Sequence, residues 1–157
     1  MKNRSLIIER VSRWMTPFIF LYGVYVVLYG HLSPGGGFPG GVILSSAFIL
    51  ILLAKGKQQA LKNLPYGLAK KLDAIGALAF ISVALLGFVF TGVFFANFLQ
   101  QLWPGEPFHI LNAGTIILNN IAIGLKVCAS LFLVLLFLSI LRISFGKKGQ
   151  MQSMEDR

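Results

Sequence analysis

Four long apolar stretches, each nearly free of charge, leave this chain one solvent to fold in: a lipid bilayer. They run from about Trp14 to Gly30, Gly40 to Ala54, Leu72 to Phe95 and Ala113 to Leu141. A transmembrane helix needs about 20 predominantly apolar residues. The second stretch is short, rising only about 22 Å at 1.5 Å per residue. The last is long enough to tilt. Charged residues make up 12% of the chain and mean hydropathy is +0.78, too apolar to cover a soluble core. The expected fold is an all-α integral membrane protein, a single membrane domain over residues 1–157 with four transmembrane helices and a polar tail over 146–157.

The basic residues set a direction. Lys2, Arg4, Arg10 and Arg13 precede the first span. Lys55, Lys57, Lys62, Lys70 and Lys71 lie between the second and third, and Arg142, Lys147, Lys148 and Arg157 follow the fourth. The loops Gly30–Gly40 and Ala96–Asn112 hold neither Lys nor Arg. Cytoplasmic loops collect Lys and Arg, so both termini are expected inside. The formal charge of +9 is thus a topology signal with a partner in the lipid bilayer, and no nucleic-acid role is expected. Trp14 and Trp103 fall near the two interfaces, where aromatic belts lie. The N-terminal segment reads equally as a surface helix before Pro17 or as the start of the first span. That span leads into a glycine-rich turn rather than a cleavage site, so no signal peptide is expected. The lone cysteine, Cys128, reads as a packed hydrophobe.

The turn between the first two spans is the most specific segment. From Pro34 to Gly41 it holds five glycines and two prolines, a composition that opposes helix. Lipid cannot satisfy free backbone N–H and C=O groups. With a short second span behind it, the turn is expected to dip into the outer leaflet under a cover of protein. Gly37, Gly41 and Ser45 recur every four residues and allow close helix approach. Two roles remain open: a hairpin turn built for packing, or a path for ions or water lined by bare carbonyls and Ser33. A phosphate loop is excluded by the missing Lys-Ser/Thr ending.

One ionisable residue, Lys126, sits in the middle of the last span. A cation there costs about 2.5–3.5 kcal/mol on insertion scales. Glu9, Glu155 and Asp156 are on the inner side, Glu106 is in the outer loop, and Asp73 is placed at the inner end of the third span, about half a membrane away. The chain is therefore expected to offer Lys126 no partner. Either a neighbouring subunit supplies a carboxylate, or the amine is neutral because a desolvated charge is costly, or the side chain snorkels. Asn112, Thr115, Asn119, Lys126 and Ser130 fall within about 60° of one another on a helix. This stripe reads as a helix–helix seam or as the wall of an outward-facing half-channel ending at Lys126. On the third helix, Asp73, Gly76, Ala77, Ala84, Gly87 and Thr91 form a mostly small face suited to close packing, with Asp73 a secondary candidate for ion-pair contacts. Tyr22, Tyr25 and Tyr29 read as packing. His31 and His109 lack neighbouring acids and make a poor metal site. No nucleophile–base pair or cofactor motif is present, so no enzyme activity is expected of the chain alone.

The run Gly30-His31-Leu32-Ser33-Pro34-Gly35-Gly36-Gly37-Phe38-Pro39-Gly40-Gly41 closely resembles the signature of the MnhB/MrpB family, subunits of Mrp-type (Mnh, Sha) multisubunit cation/proton antiporters. That signature reads roughly Gly-His-x-x-Pro-Gly-Gly-Gly-Phe-x-Gly-Gly. The resemblance extends over nearly the whole chain, including its four spans and a last helix opening Gly114-Thr115-Ile116. It implies a non-catalytic membrane subunit in a prokaryotic cell membrane. The implied partners are other membrane subunits, the implied transported ions are Na+ and H+, and no cofactor is bound. Related modules serve in membrane-bound hydrogenase and sulfane-reductase complexes. His31, Pro34, Gly35, Gly36, Gly37, Phe38, Gly40 and Gly41 carry over as the motif without individual chemical roles. The chain departs from antiporter members that place an acidic residue mid-way along the last helix, where it has Lys126. That departure leans towards a redox-linked complex. A stand-alone channel or transporter is the alternative from another class.

Overall fold

A computed structural model describes residues 6–102 and 113–155, with residues 142–155 described by backbone alone. Six helices follow in order among them: α1 Leu6–Leu28, α2 Gly37–Lys55, α3 Lys57–Asn63, α4 Tyr66–Thr91, α5 Phe98–Leu102 and α6 Thr115–Glu155. Among the described residues, α1, α2, α4 and the Thr115–Leu141 part of α6 are long and apolar enough to cross a membrane. The protein is an all-α, multi-pass membrane protein.

The spanning helices lie in a row. α2 packs between α1 and α6, and α4 closes the row on the far side of α6. Small residues permit this order. A Cβ on Gly40 would lie 2.5 Å from the Val27 side chain of α1, and one on Gly41 would lie 2.8 Å from the Gly124 carbonyl of α6. Ser45 and Ala47 complete a tightly buried α2. At the end carrying α3, Ile51, Leu52, Ala60, Leu64, Ala69, Phe132 and Leu136 form the main apolar cluster. Gly56, with φ 86°, breaks α2 from α3, and Gly92, with φ 72°, ends α4 in a left-handed cap.

Several boundaries differ from expectation, among them the end of α4 at Thr91 rather than Phe95. α2 starts at Gly37, three residues earlier, because Pro39 sits in the first turn where a helix needs no N–H. Its 19 residues rise about 28 Å, so a short second span no longer forces the turn into the leaflet. α4 starts at Tyr66, so Asp73 lies two turns inside the helix rather than at its end. α1 is continuous from Leu6 through Pro17, so the N-terminal segment and the first span form one helix. The α6 backbone continues past Leu141 to Glu155, through most of the expected tail.

After α4 the chain turns back along it. The Phe95 N–H donates to the Ala84 carbonyl at 3.4 Å, and the Phe95 ring lies 5.2 Å from that of Phe80. Gly87 makes room, since a Cβ there would lie 2.8 Å from the Ala96 carbonyl. Phe95 takes φ 68° to achieve the reversal.

Candidate functional site

Gly76 brings α4 against α6: a Cβ on it would fall 2.7 Å from the Ala122 carbonyl and 2.9 Å from the Lys126 Cβ. Beside that contact, Asp73 and Lys126 meet. The Lys126 Nζ lies 2.7 Å from Asp73 Oδ1, and the Ser130 hydroxyl donates to the same oxygen at 2.6 Å. The expectation that Lys126 lacks a partner within the chain is corrected. The early start of α4 carries Asp73 deeper than its place in the apolar run suggests. Ser130, one turn beyond Lys126, marks the level at which the carboxylate sits.

The pair is not enclosed. Side-chain exposure is 46% for Lys126 and 35% for Asp73, so the ion pair opens on one flank of the α4–α6 seam. The rest of the stripe divides. Thr115 is tied up by Asn97, whose Oδ1 accepts from the Thr115 N–H at 2.9 Å and from its hydroxyl at 3.0 Å. Asn119 is buried and its Oδ1 has no hydrogen-bond partner. Ala122 interposes against Gly76, so a tight seam separates Asn119 from Lys126. Asn112 lies outside the described residues, as do Trp103, Glu106 and His109.

The turn motif is a packing device at several positions. Gly30 abuts Gly36, where a Cβ would lie 2.3 Å from the Gly36 Cα, and Gly36 itself has φ 147°. Gly35 rests on Val26, and a Cβ on Gly37 would lie 2.5 Å from the Asn120 carbonyl. His31 is partly buried, with both ring nitrogens sequestered and without a partner. Pro34 and Phe38 are exposed. Tyr22, Tyr25 and Tyr29 stack in sequence on one another along α1 and just past its end, with Tyr22 and Tyr25 exposed. Among the described residues no three His, Cys, Asp or Glu side chains gather to hold a metal.

Residues 7–133 match a family described as a domain related to the MnhB subunit of Na+/H+ antiporters. The chain belongs to the MnhB family. A putative antiporter subunit, mnhB2, of Staphylococcus epidermidis is 35% identical over 143 residues, spanning 88% of this MnhB chain and 97% of its own length. The Staphylococcus aureus mnhB2 is 32% identical over 139 residues with the same coverage. An uncharacterized protein of Methanocaldococcus jannaschii is 34% identical over 145 residues, but this chain spans only 55% of its length. Among solved structures, a chain of the membrane-bound sulfane sulfur reductase, an archaeal respiratory membrane complex, superposes with TM-score 0.69 at 29% identity. The match covers 83% of this chain and 56% of that one. MnhB proteins are antiporter subunits, so the chain is a non-catalytic membrane subunit and not an enzyme by itself.

Two residues of this MnhB chain escaped the sequence reading. Asn120 accepts the Gly37 N–H on its Oδ1 at 3.2 Å and so caps the start of α2. Adjacent asparagines on one apolar helix point about 100° apart, which is the signal that Asn120 faces away from the stripe that holds Asn119. Asn97 joins α5 to α6: besides Thr115, it accepts from the Gln100 N–H at 3.3 Å and donates to the Ala113 carbonyl at 3.0 Å. Its place in the loop after α4 gave no periodicity to find it by.

Proposed function

We propose that this MnhB chain works within a Mrp-type antiporter module of a prokaryotic cell membrane, exchanging Na+ and H+ in company with other membrane subunits. The half-exposed Asp73–Lys126 pair carries this reading. Hydrocarbon does not accept an open ion pair part-way along a spanning helix. A neighbouring subunit or a water-filled path therefore covers that flank. Asp73 shares one oxygen between an ammonium and a hydroxyl, and an arriving cation contests that oxygen directly. A Na+ or proton at Asp73 releases Lys126, and its departure lets the pair re-form. Access to this station is from the exposed flank of the pair, because the Ala122–Gly76 contact separates Asn119 from it. The distribution of Lys and Arg supports both termini on the cytoplasmic side.

A second reading is favoured by the likeness to the sulfane reductase chain: the same station within a redox-driven ion-pumping complex. Isolating the intact complex through a tag on this chain separates the two. Sodium-dependent proton movement in vesicles without an electron donor supports the antiporter, and movement only with a donor supports the redox complex. Wild-type exchange by a complex carrying Asp73→Asn would remove the station from either reading.

A further inference from the structure

At the end of the molecule that carries α3, the groove between α1 and α2 opens into a cleft of about 540 Å³. Its interior is apolar, with Phe20 and Leu21 from α1 and Phe48 and Ile51 from α2. The Phe20 and Phe48 rings meet edge to face, 6.1 Å between centroids. Thr16 also borders the cleft, but its hydroxyl already donates to the Ser12 carbonyl at 2.7 Å. Basic groups enter from both helices, Arg13 and Lys55. Pro17, in the same wall, withholds the N–H that the Arg13 carbonyl accepts in an unbroken helix. Glu9 pairs with Arg13 at 3.8 Å in an exposed pair and borders a neighbouring recess together with both Arg13 and Lys55. Two cations, Arg13 and Lys55, thus face one acid, Glu9, at this corner.

We propose that this cleft binds an anionic glycerophospholipid, its phosphate at Arg13 and Lys55 and one acyl chain against Phe20 and Phe48. A phospholipid passes from charge to hydrocarbon along its length, and the cleft changes in the same order. A partner's helix would match the aromatic interior but bring no phosphate to the two cations. The surplus of positive charge selects an anionic head over a zwitterionic one, as basic pockets between spanning helices do.

Native mass spectrometry of the purified full-length chain, offered phosphatidylglycerol and phosphatidylcholine in equal amounts, tests the proposal. Phosphatidylglycerol is retained preferentially, and Arg13→Ala with Lys55→Ala lowers its retention about 30-fold, at about fivefold per cation. Lys57→Ala with Lys62→Ala removes the same charge outside the cleft and keeps the lipid. If the first double variant does not fold, Arg13→Gln alone, at a side chain 68% exposed, lowers retention about fivefold. Equal retention of both lipids, or equal loss in both double variants, overturns the proposal. So does an intact complex that excludes the lipid held by the isolated chain, because a partner segment then occupies the cleft.

Discussion

Lys126 reaches Asp73 across the α4–α6 seam, 2.7 Å from Nζ to Oδ1, along a path that a glycine keeps open. Gly76 stands one turn from Asp73 on α4 and touches the Lys126 backbone nitrogen, to which a Cβ would come within 2.9 Å. The small face of α4 is therefore more than a packing surface. It sets the distance at which an acid on one helix and an amine on the other form a pair.

Gly76→Val tests that dependence. The added side chain meets the Ala122 carbonyl and the Lys126 stem, neither of which gives way without parting the helices. Overpacking of this kind costs roughly 1–3 kcal/mol. We expect a lower thermal midpoint for the purified chain and reduced ion exchange in the assembled complex. Wild-type values for both would show that the seam tolerates separation.

Gly37→Val acts at the other face of α6. Its side chain has no space beside the Asn120 backbone, and displacing Gly37 breaks the bond from its N–H to Asn120 Oδ1. Loss of a helix cap costs about 1 kcal/mol in addition to the steric strain. We expect impaired assembly, read by recovery of partner subunits with a tagged chain. Asn120→Ala, which removes only the cap, should impair it less. Normal recovery with Gly37→Val would make the turn a dispensable loop.

The spans were legible because hydropathy reports burial in lipid directly, and the glycine spacing at Gly37 and Gly41 announced a close helix contact. The pairing of Asp73 was not legible. Hydropathy placed the third span at Leu72, whereas amphipathic residues such as Tyr66 and Lys70 extend the helix below the apolar run and shift the depth at which Asp73 is judged. Asn97 was hidden for another reason. Its five hydrogen-bonding contacts join segments brought together by the reversal at Phe95, and a loop reversal has no period in the sequence. Asn119 was legible as part of the polar stripe, but Asn120, pointing about 100° away, was not legible as the acceptor for the Gly37 N–H.

Orientation is testable by thiol labelling in a Cys128→Ala background. A cysteine in place of the exposed Lys57 should react with impermeant reagent only in inside-out vesicles. One in place of the exposed Gln101 of α5 should react only in right-side-out vesicles. The reverse pattern would overturn the assignment of both termini to the cytoplasm.

The ion pair itself yields the sharpest prediction, because removing either partner and removing both have different consequences. Lys126→Met leaves the Asp73 carboxylate with only the Ser130 hydroxyl, and Asp73→Asn leaves an unpaired ammonium. In the isolated chain the two side chains are partly exposed, so each single variant should change stability little. Where a neighbouring subunit covers the flank in the complex, an unpaired charge there costs about 3–5 kcal/mol. We expect each single variant to fold alone and to assemble poorly. The double variant Asp73→Asn with Lys126→Met buries no uncompensated charge, so its assembly should recover. Its ion exchange should not, because no carboxylate remains for a cation to contest. Recovery of both assembly and exchange in the double variant would reduce the pair to a structural tie between subunits. Full assembly of both single variants would show that no partner covers this flank and that water reaches it instead.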